Sequence, residues 1–160
     1  MGTLLERIIQ YCNEAGKSQE RPSKEEYYFN IALAVAMRST CLRRKYGAVI
    51  VKDDRIISTG YNGAARGEQN CTDVGLCLRE EQNIPHGERY ELCKAVHAEA
   101  NAILNANPAD MIGATLYLAG WENGKVIPRP VPCAMCTRLI RNARISKVVT
   151  CRYKEEHYLQ

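Results

Sequence analysis

Eight cysteines are spread over 160 residues, and their role limits what this chain can become. Eight in 160 is about half the roughly 8–10% of a small disulfide scaffold, yet it is dense for a protein that keeps its thiols reduced. The opening run MGTLLERIIQYCNEAGK carries Glu6 and Arg7 where a secretion signal needs an unbroken apolar stretch. No apolar run approaches the roughly 20 residues of a membrane span. The expectation is a cytoplasmic protein with no membrane partner, in which metal is the first occupation to test for the cysteines. Three histidines could assist them: His86, His97 and His157.

Length and composition narrow the rest. Residues 1–160 suffice for one domain and not for two. The hydrophobic fraction of 46% and charged fraction of 25% are globular averages, which excludes a disordered or fibrous chain. A net charge of +4 favours phosphate-bearing small ligands and is too weak to argue for nucleic acid.

Residues 4–15 read as a short amphipathic helix, followed by a turn from Gly16 to Pro22. Ser23 with Glu26 forms a capping-box pattern that opens a long helix through YYFNIALAVAMRST. Val49 and Val51, the Asp53-Asp54 pair, and Ile56-Ile57 mark a β-hairpin over about residues 48–59. Residues 61–93 are an irregular insertion, too long to lie in a compact domain unless something ties it down. KAVHAEANAILNAN then reads as a helix ending at Asn107-Pro108, ATLYLA as a strand, and GWENGKVIPRP as a polar loop. PCAMCTRLIRNA reads as a helix with proline at its entry, and SKVVTC as a closing strand; the tail RYKEEHYLQ reads as helical or frayed. This order predicts an α/β fold of three layers, α/β/α, with a mixed central sheet.

Two short patterns carry chemistry. Cys133-Ala134-Met135-Cys136 at a helix start lets two thiolates face one ion, with the helix dipole favouring their anionic form. His97 could add a neutral nitrogen, leaving the fourth position of a tetrahedral Zn²⁺ for water, as in catalytic zinc sites. Glu99 lies about 200° further round an ideal helix than His97, but at the first turn it can still approach that water and carry its proton. Alone, Cys-x-x-Cys also fits a redox pair or half of a structural zinc site, and His-x-Glu is a common chance match. Together, with Pro132 before Cys133, they form the recognised signature of zinc deaminases.

On HAEANAI (97–103), PCAMC (132–136), GYNG (60–63) and RSTC (38–41), the chain resembles the cytidine deaminase-like superfamily and, within it, the deoxycytidylate (dCMP) deaminase family. The likeness covers roughly residues 27–152. It implies a catalytic zinc on His97, Cys133 and Cys136, Glu99 as proton shuttle, and hydrolysis of dCMP to dUMP and ammonia for dTMP supply. It also implies a homo-oligomer, usually a hexamer, with dCTP and dTTP as effectors and Mg²⁺ accompanying the nucleotide. GYNG and the following AARG are candidates for the effector site. A deaminase of another cytosine or purine substrate is the nearest alternative. A non-catalytic zinc- or nucleotide-binding protein of the competence type is the other.

Cys41, Cys71, Cys77 and Cys93 flank the irregular insertion, where four thiolates would close a structural zinc site and supply its ordering energy. Some dCMP deaminases resemble this chain in carrying such a second zinc. His86 could replace one of the thiols, and four unliganded thiols are the plainer reading. Cys12 and Cys151 read as packing residues. Asn62 is a candidate contact for the nucleoside or simply a turn residue, since Asn-Gly is a common tight-turn dipeptide. For a substrate phosphate, Lys45 is the preferred contact; Arg43 and Arg44 equally fit a solvated basic run, and Arg66 and Arg129 are further candidates.

Overall fold

The computed structural model describes residues 21–150 apart from His86, with residues 6, 9 and 10 and the backbone of residues 157 and 158. Cys12, Cys151, His86 and most of the 4–15 helix expectation lie outside the described residues.

The capping box at Ser23 forms as the sequence implies. Ser23 Oγ accepts from the Glu26 N–H at 3.2 Å, and Glu26 Oε2 accepts from the Ser23 N–H at 3.0 Å. The helix it opens, α1 (Lys24–Ala36), stops short of the expected Thr40. There Ser39 Oγ accepts from the Cys41 N–H, offering the backbone a local alternative to another helical turn. Strands β1 (Arg44–Lys52) and β2 (Arg55–Tyr61) make the hairpin, turning at Asp53 and Asp54 with φ of 49° and 61°. Both positive values belong to the turn whose twist matches paired strands.

A two-residue strand, β3 (Gly63–Ala64), follows, then the short helices α2 (Cys71–Val74) and α3 (Leu78–Glu81) and a 3₁₀ turn at Tyr90–Leu92. Strand β4 (Ala95–Val96) pairs antiparallel with β3, so the first four residues of the expected helix from Lys94 lie outside any helix. Helix α4 (Ala98–Leu104) begins after it, and α5 (Pro108–Met111) starts on the proline that was expected to end the run. Proline at the first helical position loses no hydrogen bond, and Asn107 Oδ1 caps the turn from the Ala109 N–H. Then come β5 (Thr115–Glu122), β6 (Lys125–Val126), α6 (Ala134–Asn142), β7 (Lys147–Val149) and β8 (His157–Tyr158). The expected polar loop at Gly120–Pro130 is therefore half strand. Trp121 is core, and Asn123-Gly124 turns the chain with φ of 51° and 71°. The tail, read as helical or frayed, contributes β8 antiparallel to β7.

The main sheet runs β2-β1-β5-β7-β8 with β6 on β5; β5 and β7 are parallel and the other pairs antiparallel, a mixed sheet as expected. Alternation along β1 divides the core. Val49 and Val51 join Phe29 and Leu33 of α1 with Tyr117 and Ala119 of β5 on one face. Ala48 and Ile50 join Ala98 and Ala102 of α4, Leu116 and Leu118 of β5, and Ile140 of α6 on the other. These are the three layers. Among the described residues no helix is long and apolar enough to cross a membrane.

Helices approach the hairpin at two glycines. A Cβ on Gly47 would lie 2.1 Å from the Ala32 carbonyl oxygen of α1; on Gly60 it would lie 2.2 Å from the Ala102 nitrogen of α4. Both obstacles are backbone, so neither can swing aside. Gly60→Ala is expected to cost on the order of 1–3 kcal/mol through overpacking and to lower the thermal unfolding midpoint. An unchanged midpoint would mean that α4 does not sit this close to β2.

Candidate metal and catalytic site

The helix starts bring the donor atoms together. Cys133 is the N-cap of α6 with extended backbone (φ −67°, ψ 166°), and Cys136 is the third residue of that helix. This is the N-cap-to-third-residue relation that lets a capping side chain reach back over a first turn, and the Cys136 N–H donates to Cys133 Sγ at 3.5 Å. His97 is likewise the N-cap of α4, extended at φ −71° and ψ 154°, but its side chain makes no capping bond. Its ring turns towards α6 instead. Cys133 Sγ and Cys136 Sγ each lie 3.4 Å from His97 Nδ1. Tetrahedral ligands with Zn–N and Zn–S distances of about 2.0–2.3 Å stand roughly 3.6 Å apart, so the three donors fit zinc. No other group of three His, Cys, Asp or Glu donors among the described residues comes as close.

The extended N-cap also explains how Glu99 reaches this site. The 200° offset holds within a helix, and His97 is outside it. Glu99 is 5% exposed, and burial pushes its carboxyl above the ordinary range, against the pull of its own backbone N–H and of Cys136. Burial likewise pushes the Cys136 thiol up, with Glu99 and Cys133 adding to it. The Cys136 thiol and the Glu99 carboxyl, crowded into a dry corner, favour their protonated forms unless a cation joins them. A divalent ion supplies that charge, and the His, Cys, Cys donor set suits zinc.

The site opens into a cleft of about 650 Å³ including its mouth, whose walls include Arg43, Arg44, Tyr46, Asn62, Arg79 and Tyr90. Asn62 is 6% exposed and is no turn residue: Oδ1 accepts from the Tyr46 N–H at 2.7 Å, and Nδ2 donates to the Arg44 carbonyl at 2.9 Å. One donor hydrogen and one lone pair remain on its amide. Lys45, the preferred phosphate contact, is not among the cleft residues. In β1 it alternates with Arg44 and Tyr46 and shares the α1 face with Gly47 and Val49, on the far side of the sheet. Because β1 begins at Arg44 and not at Ala48, Arg44 faces the cleft and Lys45 does not. Arg66 lies elsewhere, donating to Asn105 Oδ1 at 2.9 Å.

Two further cleft residues carry no mark in the sequence. The Tyr90 ring meets the His97 ring edge-on, with centroids 5.0 Å apart. The Arg79 guanidinium lies 4.8 Å from the Tyr90 centroid. Both come from the irregular insertion, where no periodicity marks them. Of the proposed second set, Cys41, Cys93 and Cys77 all stand near enough to Cys71 to push its thiol up, after burial itself. No three of the four bring their sulfurs within 4.8 Å of one another. Cys41 and Cys93 also line the main cleft. The six described cysteines form no disulfide.

Comparison with known proteins adds kinship to this geometry. Residues 22–152 match the family model described as the cytidine and deoxycytidylate deaminase zinc-binding region. A deoxycytidylate deaminase of Mycobacterium phage D29 is 42% identical over 134 residues, covering 81% of this chain and 94% of the relative. The deoxycytidylate deaminase of Schizosaccharomyces pombe is 35% identical over 88% of this chain, which spans only 41% of that relative's length. The ComE operon protein 2 of Bacillus subtilis is 34% identical over 88% of this chain and 66% of its own length. Among solved structures, the dCMP deaminase of cyanophage S-TIM5 in complex with dCMP and dUMP is similar, with a TM-score of 0.57 at 26% identity, covering 81% of this chain and 82% of that one.

Proposed function

This chain belongs to the cytidine and deoxycytidylate deaminase zinc-binding family, and from that premise we propose that it hydrolyses dCMP to dUMP and ammonia. The observation that carries the reading is one buried carboxylate, Glu99, beside three donors that fit zinc, at the end of an arginine-lined cleft. His97, Cys133 and Cys136 would hold the zinc. When bound, zinc makes hydroxide available near neutral pH.

The chain's own residues do the rest. Glu99 takes a proton from the attacking water, whose oxygen bonds to C4 of the cytosine. It delivers that proton to N3. It then takes the remaining proton of the hydroxyl now on C4 and passes it to the amino group, so that the C4 carbonyl forms as the C4–N bond breaks and ammonia leaves. Asn62, fixed by two backbone bonds, presents its remaining amide hydrogen and lone pair to the nucleoside. Relatives named deoxycytidylate deaminase support the substrate, and a cleft walled by Arg43, Arg44 and Arg79 suits a phosphate better than a neutral nucleoside.

The same proposal includes a structural zinc on Cys41, Cys71, Cys77 and Cys93, supported by the clustering of the other three thiols around Cys71. His86, the substitute ligand, lies outside the described residues. A hexamer in the cytoplasm, regulated by dCTP and dTTP with Mg²⁺, completes it as the family resemblance implies. A second cavity lined by Gly60, Tyr61, Gly63, Ala65 and Arg66 supports the effector part. A competence-type protein without catalysis would have no use for a buried Glu99.

Purified protein incubated with dCMP, CMP, deoxycytidine and dCTP is expected to release ammonia fastest from dCMP. Zinc-replete protein that turns over none of the four would refute the reading, and faster turnover of another would reassign the substrate. Metal analysis is expected to give two zinc ions per chain; one would remove the structural site.

A further inference from the structure

Resting on that reading of the cleft, we infer that Arg79 is the residue that recognises the nucleotide's 5′-phosphate and so sets the preference for a monophosphate over a nucleoside. Arg79 lies in α3 of the insertion, is 7% exposed, and lines the cleft. Its Nη2 donates to the carbonyl oxygens of Pro85 and Glu88, both at 2.7 Å, and its guanidinium stacks on Tyr90. Its Nε is buried with no hydrogen-bond partner.

Carbonyls and an aromatic face orient a guanidinium without cancelling its charge. A buried charge with no counter-ion is costly, and burial of this kind is offset only by a paired anion. No carboxylate among the described residues pairs with it. Glu91, which feels its field, is exposed and paired with Arg89. Of the other cleft arginines, Arg44 is neutralised by Glu122 at 2.6 Å. Arg43 also donates to a carbonyl (Ile84, 3.3 Å), but it is only half-buried, so water still solvates its charge.

Position agrees with charge. Arg79 stands one aromatic ring, Tyr90, beyond His97. A base held at His97 and Glu99 leaves the sugar and phosphate to run along the cleft, and a phosphate there is the anion that Arg79 lacks. Charge-assisted bonds of guanidinium to phosphate are among the strongest polar contacts available.

Binding of the product pair dUMP and deoxyuridine to the zinc-loaded full chain, followed by calorimetry, tests this independently of turnover. The unmodified protein is expected to prefer dUMP, and inorganic phosphate is expected to compete with dUMP but not with deoxyuridine. Arg79→Gln is expected to weaken dUMP on the order of 10- to 100-fold and to leave deoxyuridine unchanged. Arg79→Lys, which keeps the charge and loses the fork, is expected to fall between. Equal weakening of both ligands would make Arg79 merely structural, and a retained dUMP preference, or its loss in Arg43→Gln alone, would equally overturn the assignment. Ammonia release from dCMP separates the two claims. Absent turnover with the Arg79-dependent preference intact refutes the deaminase reading alone; turnover with the preference surviving in Arg79→Gln refutes the Arg79 assignment alone.

Discussion

Glu99→Gln is expected to leave a folded, zinc-loaded protein that releases ammonia from dCMP about 10²- to 10⁴-fold more slowly. The size follows from how much of the reaction depends on moving protons. Water must lose one, N3 must gain one, and the amine leaves only when protonated. Glu99 is the buried carboxylate beside the donor triad, and at 5% exposure bulk water cannot replace it as a relay. Glutamine keeps the shape and can still hydrogen-bond, but it cannot accept and return a proton. Ammonia release and zinc content measured on the same sample check the expectation. Equal turnover by the variant would end the shuttle role, and loss of zinc would show that Glu99 supports the metal as well.

Stripping the metal with a chelator is expected to reduce turnover to background, and adding zinc back is expected to restore it. The chemistry of Cys136 adds a sign. Burial first, then Glu99 and Cys133, hold its thiol well above the ordinary range, so in the metal-free protein it keeps its proton at pH 7. Zinc takes thiolates, so uptake must release that proton, and lowering the pH must weaken zinc binding. Titrating zinc into the stripped protein in two buffers of different ionisation heat reads the released protons. Zinc uptake without proton release would show that Cys136 is not a ligand. Cys136→Ser is expected to lose zinc for the same reason, since a hydroxyl is a far poorer donor at this pH.

The metal half of the site was legible because its spacing is local. Cys133 and Cys136 meet across one helical turn, and His97 and Glu99 across one helix start, so sequence distance stands for spatial distance. The fold was legible where one rule acted alone, as in the Ser23 capping box and the Asp53-Asp54 turn. Competing rules hid the rest. Asn-Gly occurs at 62–63 and at 123–124; only the second pair makes a tight turn, while Asn62 is held by backbone groups of β1. Gly47 interrupted the β-branched pattern of β1, which concealed its first four residues and with them the face on which Arg44 and Lys45 lie. Arg79 and Tyr90 could not be found at all, because their partners are carbonyls and rings brought near only by the folded insertion.

The small β3–β4 pair has a consequence for how such a protein can change. Gly63 and Ala64 pair with Val96 and Ala95, so the insertion leaves and returns at one point, immediately before His97. Whatever lies between is closed by that clasp. Closing a loop costs only about 0.6 kcal/mol more for each doubling of its length. The intervening stretch can therefore be shortened, lengthened or replaced while the clasp still delivers His97 to the same place. Metal chemistry and the far wall of the cleft are thus written in separable stretches of chain, and a lineage could retune what it accepts without touching how it reacts.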